Sequence, residues 1–382
     1  MIYLDNAATS FPKPFCVINS LTEAMSLYGA NPGRSGHDMS VSTSAQVYAV
    51  REKLSDFFNC RAPENVSFTQ NCTHALNMAI KGLVHSGDHV VISSLEHNSV
   101  LRPVHALYEQ GVITYDVFNV YDDDNMTLSS MRGALKENTR LVIVTAVSNV
   151  TGRIMPLKML SASAHNAGAL FLVDGAQGAG AVQIDMANFG IDCLCVPGHK
   201  GLYGPMGTGA LLHRNAEFST IIEGGTGTSS VSYSQPPEYP ERLESGTVNV
   251  PGIIALGSGV DYIKQIGIKN IFNAETRLCR QLFDGLSTVK GVKLYDEKYS
   301  SLYHAPLISF NVGKLHSERV ATMLNEGGFA VRGGLHCSPL AHKTLNTLST
   351  GTVRVSPSLN NTEKDINNLL NLVRKIAIRE NV

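Results

Sequence analysis

Two short runs of the sequence place a lysine and a carboxylate beside glycines. Lys200 lies in PGHKG (residues 197–201), and Asp174 lies in LVDGAQ (residues 172–177). A lysine amine can hold an aldehyde cofactor as a Schiff base, and a carboxylate can keep a pyridine nitrogen protonated. Because pyridoxal phosphate needs both groups to accept electrons, the pair predicts a site for that cofactor. Gln177 is placed to donate to the phenolic oxygen of its ring, whereas Asp174 alone could simply cap a helix.

Further polar residues lie where predicted strands turn into helices. Exposed amides at a helix start bind phosphate, so Thr73 and His74 are phosphate candidates, and His199 is another. His97 could stack on an aromatic cofactor and exchange protons with a substrate. Asn149 could bond the phenolic oxygen. The alternatives are an ordinary threonine cap, a solvated loop histidine and a turn asparagine.

Cys337 is a candidate nucleophile, and Arg354 is a candidate for binding a substrate. Cys337 lies in RGGLHCSP (residues 332–339), where glycines and a proline predict a mobile loop. Arg332 and His336 nearby would favour the thiolate, the form that attacks. The alternative is a buried inert thiol, which we expect for most of the other cysteines. Arg354 alternates with β-branched residues, so it is either a surface arginine of a strand or a grip for a carboxylate through two parallel bonds.

Composition narrows the class of protein. The chain has 382 residues, of which 43% are hydrophobic and 16% charged, and its formal net charge is −1. This length predicts about two domains, and the charge gives no electrostatic case for nucleic acid or a membrane surface. No apolar run approaches the ~20 residues of a membrane span, and the start predicts no secretory signal. Seven cysteines without C-x-x-C spacing predict free thiols in a reducing cytoplasm rather than disulfides or a metal site.

Strand-like and helix-like runs alternate through the first two thirds of the chain, which predicts a mostly parallel α/β sheet. We predict strands at residues 65–69, 89–93, 141–147, 169–173, 193–196 and 209–213, and helices at 41–60 and 75–83. Chemistry collects at the carboxyl ends of such strands. A smaller α+β domain is predicted to follow, with helices at 253–266, 271–286, 316–326 and 365–378 and strands at 290–295 and 305–312. The domains are thus predicted as 15–252 and 253–382, the latter with 1–14.

Four motifs in order carry a resemblance to a known family. They are YLDNAAT (residues 3–9), LVDGAQ (172–177), GHK (198–200) and GTVN (246–249). Together they resemble the class V aminotransferase group of pyridoxal-phosphate enzymes. Within it, the chain is similar to the SufS/CsdA-like branch of cysteine desulfurases, which includes selenocysteine lyases. The resemblance implies fold-type I, with a mostly parallel seven-stranded sheet in the large domain, and a homodimer whose active site lies at the subunit interface.

The resemblance also implies a role for each matching residue. Lys200 would form the Schiff base, Asp174 would hold the pyridine nitrogen, and His97 would stack on the ring. Asn149 and Gln177 would form hydrogen bonds with the phenolic oxygen. The implied residues on the phosphate side are Thr73, His74, His199 and, from the neighbouring subunit, Thr247. The implied substrate-binding residues are Arg354 on the carboxylate, Asn149, Arg332, Ala7 and Arg34, which crosses the interface.

The implied activity is conversion of L-cysteine to L-alanine, with a persulfide on Cys337 for transfer to a sulfur-acceptor protein in iron–sulfur cluster assembly. Pro197 departs from the branch, which commonly has a serine there, and proline offers neither a hydroxyl nor an N–H. Three alternatives remain: a selenocysteine lyase, an aminotransferase without a thiol step, and a non-catalytic binding module. A nicotinamide dehydrogenase is disfavoured because residues 175–180 do not spell G-x-G-x-x-G.

Overall fold

Helices and strands alternate along most of the chain. The computed structural model describes residues 1–33, 36–214 and 216–380. The helices are α1 (Phe15–Leu27), α2 (Asp38–Phe58), α3 (Cys72–Leu83), α4 (Asn98–Glu109), α5 (Asp124–Ala134), α6 (Leu157–Asn166), α7 (Met186–Phe189), α8 (Val250–Ile266), α9 (Ile268–Ser287), α10 (Ser317–Glu326), α11 (Pro339–Thr344) and α12 (Glu363–Arg379). None of the helices in this described part of the chain is long and apolar enough to cross a membrane.

The strands divide among three sheets. They are β1 (Ile2–Tyr3), β2 (Val66–Thr69), β3 (His89–Ser93), β4 (Thr114–Phe118), β5 (Thr139–Thr145), β6 (Leu170–Asp174), β7 (Cys193–Pro197), β8 (Gly209–His213), β9 (Val292–Leu294), β10 (Ile308–Val312), β11 (Phe329–Ala330), β12 (Arg332–Gly334) and β13 (Thr352–Val355). The largest sheet has seven strands in the order β2-β8-β7-β6-β5-β3-β4. The predicted fold, a mostly parallel seven-stranded sheet with a smaller α+β part, is confirmed.

Within the seven-stranded sheet only β8 runs antiparallel to its neighbours. The central strands are apolar and buried on both faces, as expected for a parallel sheet covered by helices. The edge strand β4 was not among the strands predicted from the sequence. Its residues are mostly half-exposed, and Asp116 interrupts its apolar character. An edge strand buries little side chain and therefore carries a weak hydrophobic pattern.

Parallel pairing brings several strand ends to one edge of the sheet. Thr145, the last residue of β5, pairs in register with Asp174, the last residue of β6. Next to them, β7 ends at Pro197, and the loop that follows carries Lys200. The polar side chains after β3, β5, β6 and β7 must therefore converge, because their strands point the same way.

A four-stranded antiparallel sheet, β12-β13-β10-β9, forms the centre of the C-terminal part. Its core includes apolar residues of α9, α10 and α12, and β1 pairs in parallel with β11, which ties the N-terminus to this part. The domain boundary at residue 253 stays a prediction. The buried face of α8 (Ile253, Leu256, Val260, Ile263) belongs to the core cluster of the large sheet.

Replacement of Leu256 tests how α8 supports the loop after β7, which carries Lys200. Leu256 is fully buried, and a side chain built at Gly204, in the loop after Lys200, would meet its Cδ1 at 2.9 Å. We expect Leu256→Ala to lower the free energy of unfolding by about 2–5 kcal/mol, because it removes buried methyl groups and leaves a cavity. Urea unfolding of the apoprotein measures this. The control is Lys264→Ala on the exposed face of α8. Equal urea midpoints for the two variants would show that Leu256 does not stabilise this part of the fold.

Candidate active site

A cavity of about 520 Å³, solvent at its mouth included, opens at the carboxyl ends of β5, β6 and β7. Its wall brings together seven of the residues chosen from the sequence, namely Thr73, His97, Asn149, Asp174, Gln177, His199 and Lys200. They come from loops far apart in the chain, and the parallel sheet gathers them. The cavity therefore has an amine, a carboxylate, two imidazoles and two amides on one surface.

Lys200 and Asp174 both lose water in this cavity. Burial lowers the pKa of the Lys200 amine, and the charge of Arg354 lowers it further, while Asp174 opposes the shift. Burial raises the pKa of Asp174, which the hydrogen bond from the Ala176 amide and the charge of Lys200 oppose. A lowered pKa brings the amine closer to its neutral form, which is the form that attacks an aldehyde.

The two oxygens of Asp174 have different surroundings. Oδ1 accepts hydrogen bonds from the Ala176 amide at 2.8 Å and from the Cys72 thiol at 3.5 Å. Oδ2 has no hydrogen-bond partner within the described ranges of the chain. A carboxylate that lines a cavity with one oxygen committed and one free can accept from a protonated ring nitrogen.

The start of α3 forms one end of the cavity. The Asn71 side chain caps the helix by accepting from the His74 amide at 2.9 Å. The helix therefore begins at Cys72, not at residue 75 as predicted. Thr73 lies in its first turn, with its hydroxyl 2.8 Å from the Ser99 hydroxyl. A helix start with a hydroxyl in its first turn suits an anionic group.

His199 lies between Lys200 and the N-terminal segment. Burial, with the charge of Lys200, lowers its pKa to about 4, so the ring is neutral. Its Nδ1 is buried and has no partner among residues 1–33, 36–214 and 216–380. An unpartnered buried nitrogen beside a helix start fits a cavity that takes a polar group. Pro197, also in the wall, can donate nothing.

His74 is not brought to this cavity. It lines a separate cavity of about 770 Å³ together with Thr247. Successive residues of a helix point about 100° apart, so Thr73 and His74 cannot face the same space in the first turn of α3. The described single chain therefore gives no support to His74 as a cofactor contact, and Thr247 reaches the main cavity only if it acts from another subunit.

His97 caps α4 with its own ring. Nδ1 accepts from the Ser99 amide at 3.1 Å and lies 2.9 Å from the Ser99 hydroxyl. Burial, with the charges of Lys200 and Arg332, lowers the pKa of His97 to about 4. The ring is therefore neutral and fixed, with its proton on Nε2, which suits stacking on an aromatic group and donation from Nε2.

The Cys337 loop lies beside the cavity without lining it. Cys337 is exposed, and its Sγ is 3.9 Å from Arg332 Nη2. Its carbonyl accepts from the Asn98 amide at 2.7 Å, which joins the loop to the start of α4 next to His97. The alternative of a buried inert thiol does not hold for this residue, and the nearby cation expected from the sequence is Arg332.

The expectation that His336 favours the thiolate of Cys337 is wrong. Its ring is buried, with Nε2 2.9 Å from the Thr352 carbonyl. Burial, with the charge of Arg354, lowers its pKa to about 2, so the ring is neutral and cannot favour a thiolate. The sequence placed His336 next to Cys337, but successive residues in this loop point in different directions.

Arg354 is buried rather than exposed on a strand surface. Nη2 donates to Asp5 Oδ1 at 2.8 Å, and Nη1 donates to the Asn149 carbonyl at 3.1 Å. Arg332 is its register partner on β12. Both terminal nitrogens are thus engaged by the protein, and a carboxylate can use only their remaining N–H groups and Nε, which has no partner in the described chain.

Three predicted residues remain, namely Gln177, Ala7 and Arg34. Gln177 donates to the Ala7 carbonyl at 2.9 Å. Ala7 lines a neighbouring cavity of about 620 Å³ that shares Gln177 and Lys200 with the first. Arg34 lies outside the described residues.

Glu96 was missed from the sequence. Glu96 is fully buried, and its Oε1 accepts from the Ser93 hydroxyl at 2.5 Å and the Thr145 amide at 2.8 Å. It therefore ties the loop after β3 to the end of β5. Burial raises its pKa to about 8, and the Asp174 carboxylate adds to the rise while the Ser93 and Thr145 bonds oppose it. Nothing in the local sequence distinguishes it from a solvated glutamate.

Glu96→Gln tests whether this carboxyl is protonated in the folded protein. The folded protein keeps the proton up to a pH of about 8, whereas the unfolded chain releases it near 4.5. The free energy of unfolding must therefore fall with rising pH across that window. Glutamine keeps Oε1 and cannot titrate, so the difference between wild type and variant should change by up to about 1.4 kcal/mol per pH unit.

Urea unfolding of the apoprotein between pH 5 and 8 measures this difference. Glu326→Gln, on the exposed surface of α10, is the matched control. If the free energies of unfolding of wild type and Glu96→Gln change with pH in parallel, Glu96 is not protonated in the folded protein.

Comparison with known proteins agrees with this geometry. The model of the aminotransferase class-V family matches residues 2–369. A probable cysteine desulfurase of Methanothermobacter thermautotrophicus is 35% identical, with 98% of this chain and 94% of that protein covered. The apo structure of a cysteine desulfurase from Thermococcus onnurineus matches with a TM-score of 0.91 at 32% identity, covering 99% and 95% of the two chains.

The cysteine desulfurase CsdA from Escherichia coli, in its S-sulfonic acid form, matches with a TM-score of 0.87 at 28% identity. That match covers 99% of this chain and 94% of the other. Family match, sequence relatives and solved structures thus extend over nearly the whole chain. The chain belongs to the aminotransferase class-V family.

Proposed function

We propose that this protein is a pyridoxal-phosphate-dependent cysteine desulfurase that converts L-cysteine to L-alanine and holds the released sulfur as a persulfide on Cys337. The observation that carries the proposal is the single cavity faced by both Lys200 and Asp174, with an exposed thiol at its side. The names of the similar proteins over nearly the full chain support the same reaction.

The residues present fit the cofactor. Lys200 would bind its aldehyde carbon, and the free Oδ2 of Asp174 would accept from its ring nitrogen. Thr73 and His199 would hold the phosphate at the start of α3, where His199 Nδ1 is buried without a partner in the described chain. When bound, pyridoxal phosphate supplies an electron sink for bonds at the substrate's α-carbon.

The protein's own groups prepare proton transfer. The low pKa of Lys200 leaves its Nζ able to take the α-proton of the substrate once the amine is free. His97 is neutral and carries its ring proton on Nε2, because Nδ1 accepts from the Ser99 amide, so Nε2 can donate that proton. Arg354 would orient the substrate carboxylate through the N–H groups that Asp5 and Asn149 leave unused.

Cys337 takes the sulfur. Its thiolate attacks the sulfur of the bound cysteine, so a sulfur–sulfur bond forms while the carbon–sulfur bond breaks. The electron pair of the broken bond stays with carbon, which gains a proton and leaves as alanine. The persulfide on Cys337 keeps both sulfurs, so the step needs no external oxidant or reductant.

We also propose a cytoplasmic homodimer that hands sulfur to an acceptor protein for iron–sulfur cluster assembly. Large apolar side chains on α1 and the start of α2 are exposed in the single chain (Phe15, Met25, Met39 and Val41). A second copy that covered them would bury apolar surface. Thr247 would then reach the phosphate of the partner's cofactor, and Arg34 would cross the interface as the sequence predicts.

Lys200→Ala tests the cofactor assignment. The variant should lose the visible absorbance of the lysine-linked cofactor, because Lys200 is the only lysine among the described residues that line the cavity. Absorbance spectra after addition of pyridoxal phosphate measure this, with Lys53→Ala on the exposed surface of α2 as the control. Full absorbance in Lys200→Ala would end the assignment.

Cys337→Ala tests the sulfur step. We expect normal cofactor absorbance but a loss of alanine formation from cysteine of at least about 100-fold, since the nucleophile is gone. Mass spectrometry of the wild type after incubation with cysteine should show one added sulfur on the Cys337 peptide. Cys16→Ala, which removes another exposed thiol, should form alanine like the wild type. Unchanged turnover in Cys337→Ala would remove the persulfide from the reaction.

A further inference from the structure

The Asn149 side chain forms hydrogen bonds with the residues on both sides of Cys337. Its Nδ2 donates to the His336 carbonyl at 2.8 Å, and its Oδ1 accepts from the Ser338 hydroxyl at 2.7 Å. Asn149 and Ser338 are both buried. The amide orientation is consistent with both partners, because a carbonyl can only accept and the hydroxyl can donate. One side chain thus joins the residue before Cys337 and the residue after it.

The backbone of this loop needs such support. His336 and Cys337 have φ values of 50° and 58°, in the left-handed region that non-glycine residues disfavour. Two such residues in succession persist only when surrounding contacts fix them. Those contacts include the two bonds of Asn149, the bond from the Asn98 amide to the Cys337 carbonyl, and the bond from the Ser338 amide to the Leu335 carbonyl at 2.9 Å. The His336 ring adds its contact with the Thr352 carbonyl.

Asn149 also belongs to the cavity. It lines the cavity wall after β5, and its own carbonyl accepts from Arg354 Nη1. The role expected from the sequence was a bond to the phenolic oxygen of the cofactor. The side-chain amide of Asn149 already uses one N–H of Nδ2 and the oxygen Oδ1 for the loop. Only the second N–H of Nδ2 is left to bond the phenolic oxygen.

We propose that Asn149 and Ser338 form a polar clamp that positions the Cys337 thiol for sulfur transfer. The proposal rests on the proposed function, because it concerns the delivery of that thiol. Both residues are positioning residues, since they act through the loop. Ser338 is the decisive one: it is absent from the wall of the cavity, so its loss disturbs the loop and leaves the cofactor site unchanged.

The experiment compares Ser338→Ala, Ser338→Thr and Asn149→Ala in the holoenzyme. We expect Ser338→Ala to lower kcat for alanine formation by about 10- to 100-fold, because a thiol displaced by about 1 Å reacts that much more slowly. KM for cysteine and the visible absorbance of the cofactor should match the wild type. Ser338→Thr keeps the hydroxyl and should restore most of kcat. The control is Ser163→Ala, a buried serine of α6 that accepts one hydrogen bond from Arg132.

Hydrogen exchange of the apoprotein gives a readout independent of catalysis. Loss of the bond between Ser338 and Asn149 should make the amides of residues 335–338 exchange about 10-fold faster in Ser338→Ala. Asn149→Ala also loses the bond to the His336 carbonyl and should exchange at least as fast. The double variant should exchange little faster than Asn149→Ala alone, because that substitution already removes the contact with Ser338.

Faster exchange together with a lower kcat, at unchanged KM and absorbance, supports the clamp. Unchanged exchange, unchanged kcat, or a loss of absorbance in Ser338→Ala overturns it. If the wild type forms no persulfide from cysteine, the proposed function has failed. The clamp is then decided by the exchange of residues 335–338 alone.

Discussion

The site depends on a lysine and a carboxylate that face one cavity without the water that would normally surround them. Burial raises the pKa of Asp174 and lowers that of Lys200, and the attraction between them opposes both shifts. Separating either group from its partner would leave an uncompensated buried charge, which is strongly destabilising. The parallel sheet supplies the required placement, because β6 ends at Asp174 and the loop after the adjacent strand β7 carries Lys200.

Several titratable groups around this pair are held in their neutral forms. Burial keeps the rings of His97, His199 and His336 neutral, and Glu96 is held with its proton up to a pH of about 8. A cavity with few mobile charges lets a bound cofactor respond mainly to the lysine and the carboxylate. Interactions between charges are also stronger there than in water.

Two cysteines near the cavity illustrate how surroundings separate the roles of one residue type. Burial raises the pKa of Cys72 well above its usual range, so this residue stays a neutral thiol that donates toward Asp174. Cys337 is exposed beside Arg332 on a loop fixed from both sides by Asn149. The first is suited to a structural role and the second to attack on a substrate.

The sequence alone determined six of the seven strands of the large sheet and the lysine–carboxylate pair that follows two of them. Apolar runs bounded by glycine and polar residues reveal buried strands and the residues that follow them, and those residues meet because parallel strands end at one edge. Only the tertiary structure decided how Asn149 clamps the Cys337 loop, that Arg354 is paired with Asp5 from the far end of the chain, and that Glu96 is buried. These depend on contacts between distant segments and on the direction of each side chain, and a local pattern encodes neither.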